Sequence, residues 1–309
     1  MNHQILARMS AGDVLISDGA TGTYLQQHGL TPGACPEELN LSQPDVIRGM
    51  AIAYFDAGSD MVLTNSFGAN VFRLGHYELS ERVTEINRLA ASLARAVTPS
   101  GRFVIGSIGP TGEFLEPLGD VSAEAMSEAF AEQAAALAAG GVDGILVETM
   151  SALDEAVLAV RMARENSTGV IMATMAFTPG AHGWVTSMGV KPERAIPALR
   201  DAGADVVGAN CGVGVSRMVE LAQVLRTLTD APLLIHANAG LPEVLDGKTI
   251  YRETPEIMIP FFLQMRRIGI DILGGCCGTG PEHIRAIAHA LRSDLGDTTP
   301  GRDEELKGC

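Results

Sequence analysis

Three of the five cysteines fall in two glycine-rich blocks, Ala209-Asn210-Cys211-Gly212 and Gly274-Gly275-Cys276-Cys277-Gly278. Thiolates are ready zinc ligands, and a catalytic zinc site uses three protein ligands while leaving a fourth position for substrate. Adjacent residues of a regular strand face opposite sides, so Cys276 and Cys277 can share one metal only where the strand breaks. The glycines at 274, 275 and 278 permit that break. A zinc ion held by three thiolates carries a formal charge of about −1; it deprotonates an incoming thiol yet leaves that sulfur electron-rich. Such chemistry favours attack on a methyl group over polarisation of a carbonyl. The competing reading is that buried cysteines act as small hydrophobes, as an adjacent pair sometimes does.

Two acids accompany the thiols. Asp18 opens the turn Asp18-Gly19-Ala20-Thr21-Gly22, whose small residues offer free backbone N–H groups for an anion. Glu148 follows a buried apolar run at 144–147. Two carboxylates beside a backbone anion nest suit the zwitterion of an α-amino acid; for each acid alone, a structural hydrogen bond to a loop is the alternative. His236, inside an apolar run, reads as a core histidine rather than a ligand. Cys35 and Cys309 lie away from these blocks.

The elements that must position these residues recur along the chain. Apolar, β-branched runs predict strands at 14–18, 61–67, 103–109, 144–149, 170–177, 206–211, 233–238 and 271–276. Helical spacing occupies 81–96, 122–139, 151–165, 192–202, 216–228, 254–268 and 281–291. The strands are nearly continuous in apolarity, as expected where both faces are covered. Alternating strands and helices imply a parallel sheet with right-handed crossovers, and eight such units fit a single (β/α)8 TIM barrel. A doubly wound open sheet is the competitor, but Gly19-Ala20-Thr21-Gly22 does not match the dinucleotide fingerprint that usually follows its first strand. In a barrel the three cysteines, both acids, Asn210 and Asn238 all fall at the C-terminal strand ends, where barrel chemistry gathers. Segments 112–121 and 178–189 read as long loops. The expected organisation is one barrel over 1–293 and a polar tail over 294–309.

Composition narrows the partners. With 22 basic and 37 acidic side chains the formal charge is −15, which repels nucleic acid and anionic membrane. The N-terminus lacks a signal-peptide pattern and no apolar run reaches membrane-span length, so a cytoplasmic location is expected. An odd number of cysteines in a reducing compartment argues against a disulfide framework.

Taken together, seven segments resemble the homocysteine S-methyltransferase family, and particularly the homocysteine-binding module of its cobalamin-dependent methionine synthases. They are Asp18-Gly19-Ala20-Thr21-Gly22-Thr23, Thr64-Asn65-Ser66-Phe67, Gly109-Pro110-Thr111-Gly112, Glu148-Thr149, Ala209-Asn210-Cys211-Gly212, Asn238-Ala239-Gly240-Leu241-Pro242 and Gly274-Gly275-Cys276-Cys277-Gly278-Thr279. The resemblance implies zinc on Cys211, Cys276 and Cys277, with the homocysteine sulfur as a further ligand and methionine as product. It implies that Asp18 and Glu148 hold the amino group and that N–H groups around Gly19, Ala20 and Thr21 hold the carboxylate. Asn210 joins the substrate-binding set, and Asn238 matches the residue able to occupy the metal's open site. Betaine-dependent relatives place a tyrosine after the phenylalanine where this chain has Gly68, and the stretch 109–119 is unlike the S-methylmethionine-using relatives. The expected methyl donor is therefore a methyl-corrinoid protein, or methylcobalamin charged from methyltetrahydrofolate, on a separate chain. The alternatives are a betaine- or S-methylmethionine-dependent enzyme, or a non-catalytic thiol- or amino-acid-binding subunit of a multi-component methyltransferase.

Overall fold

The computed structural model describes residues 4–245 and 248–296. Eight parallel strands form one sheet: β1 Leu15–Ile16, β2 Met61–Leu63, β3 Phe103–Ile108, β4 Gly144–Met150, β5 Val170–Met175, β6 Val206–Gly214, β7 Leu233–Asn238 and β8 Ile272–Gly275. Each is followed by a covering helix: α1 Pro44–Ala57, α2 Val83–Arg95, α3 Ala123–Ala139, α4 Leu153–Asn166, α5 Pro192–Asp201, α6 Val215–Leu228, α7 Pro255–Ile268 and α8 Pro281–Gly296. Neighbours pair in sequence order from β2 round to β8, and β8 pairs with β1, as a (β/α)8 barrel requires.

Strand alternation divides the apolar residues into two cores. Leu15, Met61, Ile105, Leu146, Met172 and Leu234 fill the barrel interior, and Ile5 and Met9 of the N-terminal helix Gln4–Ser10 join them. The opposite faces, such as Val104, Ile145, Val207 and Ile235, pack under the helices. The seam between β1 and β2 is closed by two carboxylates. Asp60 Oδ2 accepts Ile16 N–H at 2.9 Å and Asp18 Oδ2 accepts Leu63 N–H at 2.7 Å.

Asp60 belongs to a fourfold pattern at the N-terminal end of the barrel. The sequences Gly58-Ser59-Asp60, Gly141-Val142-Asp143, Gly203-Ala204-Asp205 and Gly269-Ile270-Asp271 precede β2, β4, β6 and β8. Each aspartate accepts a backbone N–H from the preceding strand: Ile16, Val104, Ile171 and Leu233 respectively. One arginine per repeat, from the helix before that strand, donates to the glycine carbonyl and pairs with the aspartate: Arg292, Arg95, Arg164 and Arg226. The four glycines all have φ between 90° and 113°, a region unfavourable to side chains. Strand pairing, helix end and turn are thus tied together every second strand.

Three expectations are corrected. Strand β2 ends at Leu63 rather than at 67, because beyond the Thr64 N–H, which still bonds the Ile105 carbonyl, side-chain bonds such as Ser107 N–H to Thr64 Oγ1 replace the ladder. Segment 178–189 is not a plain loop but carries a hairpin, Thr178–Gly180 against Gly183–Val185. Helix α8 runs on to Gly296, and Asp294, expected in the tail, pairs with Arg266 at 2.7 Å. The rest of the expected tail, 297–309 with Cys309, lies outside the described residues. Helix α1 and the hairpin Glu243–Leu245 against Lys248–Ile250 had no counterpart in the sequence reading.

The clamps make a stability prediction. Asp205→Ala strands the Ile171 N–H and the Arg164 fork, and is expected to lower unfolding free energy by about 1–3 kcal/mol. Glu85→Ala removes only the exposed Arg82 pair and is expected to leave the urea midpoint close to that of wild type. Urea midpoints of the two variants should separate accordingly; equal midpoints would discard the clamp as a stabilising device.

Candidate metal and thiol site

The three cysteines meet at the C-terminal mouth. Their Sγ atoms lie within 4.8 Å of one another, and Cys211 and Cys277 stand 3.9 Å apart. Tetrahedral zinc with Zn–S bonds near 2.3 Å places its sulfurs about 3.8 Å apart, so this trio fits a zinc ion without rearrangement. All three side chains are partly open to the cavity.

The backbone is specialised to achieve this. β6 runs past Asn210 with a register shift, and Cys211 adopts φ 59°, a left-handed conformation rare outside glycine. Its sulfur thereby turns toward β8. On the other side β8 stops at Gly275, and Cys276 and Cys277 occupy a turn closed by Thr279 N–H and Oγ1 on the Cys276 carbonyl. Gly278 has φ 82°, and a Cβ there would stand 2.2 Å from the Tyr251 ring. The break anticipated from the glycines is therefore real, and it brings neighbouring sulfurs to one side.

The three thiols are coupled through hydrogen bonds that centre on Cys211. The Cys211 thiol is pushed down because Cys276, then Cys277, donates a hydrogen bond to its sulfur. The Cys276 and Cys277 thiols are correspondingly pushed up, in each case first by that bond to Cys211. Asn238 ties both arms: its Nδ2 approaches Cys211 Sγ at 3.7 Å and its Oδ1 accepts Cys277 N–H at 3.1 Å.

Beside the sulfurs lies a cavity of about 310 Å³. Glu148 lines it, with Oε1 accepting the Ser107 hydroxyl at 2.5 Å. Asp18 sits behind the wall, 1% exposed, with its oxygens on Leu63 N–H and the Ser17 hydroxyl. Burial raises both carboxyls to about 7; the Glu148 charge also raises Asp18, and Cys211 also raises Glu148. Gly19, Ala20 and Thr21 line the cavity, but the Ala20 N–H is already spent on the Thr279 carbonyl at 2.9 Å. The free N–H groups are those of the first turn of helix Thr21–Gln27, whose N-cap Ala20 offers no side-chain acceptor.

Asn210 stands apart from the other expected residues. It is fully buried and its Oδ1 accepts Thr149 N–H and Thr174 Oγ1–H at 2.8 and 2.7 Å, while Nδ2 donates to Thr149 Oγ1. It clamps Thr149, the other left-handed residue at a strand end, with φ 61°. Its Nδ2 also lies 3.8 Å from Cys276 Sγ. Its contacts are thus with the frame of the site rather than with the cavity. His236 is buried in β7, as read from the sequence, with Nε2 unpartnered and its basicity lowered by burial to about 4.

Residues missed by the sequence reading also line the cavity: Ser107, Thr149, Glu37 and Arg73, together with Cys35. Cys35 had been set aside, yet its S–H points to Glu37 Oε2 at 3.4 Å. Tyr251, beside Cys277, was missed as well; burial, then the Cys277 charge, raises its phenol. Only Thr149 stood inside a segment already singled out.

The (β/α)8 barrel thus carries at its mouth three converging thiols that could hold a metal ion, beside a cavity with a carboxylate in its wall. Comparison with known proteins makes this specific. Residues 15–291 match the family described as Homocysteine S-methyltransferase, so the chain belongs to that family. It is similar to the methionine synthase of Mycobacterium leprae (strain TN), 34% identical over 307 residues, covering 93% of this chain and 25% of that protein. The methionine synthase of Mycobacterium tuberculosis (strain ATCC 25618 / H37Rv) is also 34% identical, over 298 residues. The chain thus spans about a quarter of the length of these curated relatives. Among solved structures, the metallated form of the homocysteine methyltransferase MmuM from Escherichia coli superposes with a TM-score of 0.77 at 21% identity. That match covers 92% of this chain and 98% of the other, a likeness of fold.

The raised carboxyls carry a pH prediction. A free glutamate titrates near 4.3, so between about pH 4 and 7 the folded state holds a Glu148 proton that the unfolded chain gives up. The contribution of Glu148 to stability therefore falls as pH rises through that window. Glu148→Gln avoids the penalty, and its stability relative to wild type should grow between pH 4 and 7 by roughly 1–3 kcal/mol. Urea unfolding of the metal-free proteins measures this; a difference independent of pH would contradict the burial argument.

Proposed function

We propose that this chain catalyses methyl transfer to the thiol of homocysteine, giving methionine, with zinc on Cys211, Cys276 and Cys277. The single observation that carries the reading is the convergence of those three sulfurs beside a cavity of amino-acid size. Family membership and the similarity to methionine synthases over nearly the whole chain support it. Bound zinc would hold the substrate sulfur as a thiolate, while three anionic ligands keep that sulfur a strong nucleophile.

The protein's own residues supply the rest. Glu148 faces the cavity and, once ionised, pairs with the substrate ammonium; Asp18 behind it adds negative potential and fixes the wall at Leu63. The open N–H groups at Thr21 and the residues after it receive the carboxylate. Asn210 acts as a positioning residue through Thr149, and Asn238 holds the Cys211 and Cys277 arms in register. The thiolate sulfur donates its electron pair to the methyl carbon, and the bond from carbon to the donor breaks with its pair left on the donor.

As donor we favour a methyl-corrinoid protein on a separate chain, charged from methyltetrahydrofolate or a comparable source, in which case the departing pair reduces Co(III) to Co(I). Gly68 in place of a tyrosine and the 109–119 segment support this over betaine or S-methylmethionine. The functional unit is the barrel, closing with helix α8 at Gly296. Among the described residues no helix is long and apolar enough to cross a membrane, and free thiols that must stay reduced accord with the cytoplasm.

The test combines metal analysis with a donor panel at fixed homocysteine. Wild type should bind about one zinc per chain and turn over with a methylcobalamin donor. Cys276→Ala should lose both the metal and at least about a hundredfold in rate with its far-UV spectrum intact. Wild-type turnover in that variant, or a wild type that retains no zinc, would rule the metal role out. Robust turnover with betaine or S-methylmethionine alone would overturn the choice of donor.

A further inference from the structure

Arg73 reaches the thiol cavity from the short helix Val71–Gly75, whose N-cap Asn70 accepts the Arg73 backbone N–H at 3.1 Å. In an eight-stranded ring the segment after β2 and the end of β6 lie on opposite sides of the mouth, so Arg73 approaches from the side facing Cys211. The side chain is half-buried and folds over Gly68: a Cβ there would stand 2.8 Å from Arg73 Nε and 3.3 Å from its Cδ. A larger residue at 68 and the present placement of this guanidinium are therefore mutually exclusive.

The guanidinium forms no direct ion pair, although the Glu37 carboxylate stands on the same wall. Among the described residues no carboxylate oxygen pairs with it and no acceptor takes its N–H groups. Glu37 shares the Gly68 wall, 3.0 Å from the same Cβ position, but both its oxygens are engaged. Oε1 accepts Gly68 N–H at 2.6 Å and Oε2 accepts the Cys35 thiol at 3.4 Å. A partly desolvated, unpaired arginine is costly to maintain, and its planar fork matches oxygen acceptors.

We infer that Arg73 is a specificity-determining residue for the methyl donor, binding an oxygen acceptor that the donor carries beside its methyl group. The inference rests on the reading of this cavity as a site of thiol methylation. The shared chemistry is an electron-rich oxygen within reach of the fork. Its source is either the amide carbonyls at the edge of a corrin ring or the carboxylate of a small sulfonium or ammonium donor. On the proposed reading the amino-acid substrate is held at the first turn of Thr21–Gln27 and at Glu148, which would leave Arg73 for the second reactant.

The test uses full-length, zinc-loaded protein with four probes: methylcobalamin, S-methylmethionine, betaine and methyl iodide. Arg73→Met should raise KM for whichever oxygen-bearing donor supports turnover by about ten- to a hundredfold, with a smaller change in kcat. Arg73→Lys should recover part of the loss. The Kd for homocysteine, and alkylation of bound homocysteine by methyl iodide, which offers no oxygen, should stay at the wild-type level. Loss confined to methylcobalamin assigns the oxygen to a corrin edge, and loss with the onium compounds assigns it to a carboxylate. An unchanged donor KM, or an equal loss of homocysteine affinity, would overturn the inference. Failure of methyl iodide to alkylate homocysteine on the wild-type protein would instead sink the thiol-activation reading itself.

Discussion

Three sulfurs can share one ion only if two strands abandon their regular pleat at the same height, and the mouth of this barrel is organised around that constraint. In β6 the departure is a left-handed Cys211, a conformation that costs of order 1–3 kcal/mol for a residue with a side chain. In β8 it is an early stop at Gly275 followed by a tight turn, with left-handed Gly278 under the Tyr251 ring. Neither arm is free-standing. Asn238 from β7, the strand between them, reaches one sulfur with its amide nitrogen and the other cysteine's backbone with its oxygen. Asn210 performs the same service one strand further on, holding left-handed Thr149 of β4 through two bonds. The strain is thus confined to strand ends and is restrained by buried amides.

That arrangement is tolerable because the opposite end of the barrel is repetitive and unstrained. The four Gly-x-Asp turns with their arginines fix the alignment of each odd strand with the next even one. They leave the C-terminal ends free to carry irregular loops. The division follows the general logic of the fold, with stability at the N-terminal face and chemistry at the other. Asp18 is the exception that links the two roles: it closes the β1–β2 seam at the top as Asp60 does lower down, yet it stands next to the cavity wall. Its raised affinity for a proton is the consequence of placing a seam-closing carboxylate in a dry position beside Glu148.

What the residues made legible, and what they concealed, divides along physical lines. Buried strands and core-facing helices betray themselves by apolar runs and helical spacing, so seven helices and all eight strands were readable to within a few residues. The cysteine trio was readable because type and spacing coincide with strand ends. Helix α1 was missed although Pro44 and Gly58 bracket it, a start and stop that periodicity alone does not weigh. The end of β2 was overrun because Phe67 extends the apolar reading across the polar pair Asn65-Ser66. There the ladder gives way to bonds among Asn40, Asn65, Thr64 and Ser66 that only tertiary proximity creates. The two rim hairpins face no core, so no periodicity marks them. Arg73, Glu37 and Tyr251 are solitary residues whose significance is positional.

The same division separates the two walls of the cavity. The residues proposed to hold the acceptor amino acid and its sulfur come largely from strand ends whose placement the barrel dictates: Cys211 from β6, Asn238 from β7, the Cys276–Cys277 turn from β8, Glu148 from β4. Changing any of these disturbs the sheet itself. The outer wall of the cavity is different. Gly68, Arg73, Glu37 and Cys35 lie in the connection between β1 and β2 or in the segment after β2, and their bonds to one another involve no strand ladder. A side chain at 68 would evict the Arg73 guanidinium without moving a cysteine. On the proposed reading, acceptor chemistry is therefore bound to the fold, whereas donor recognition would depend on a few replaceable contacts on one wall.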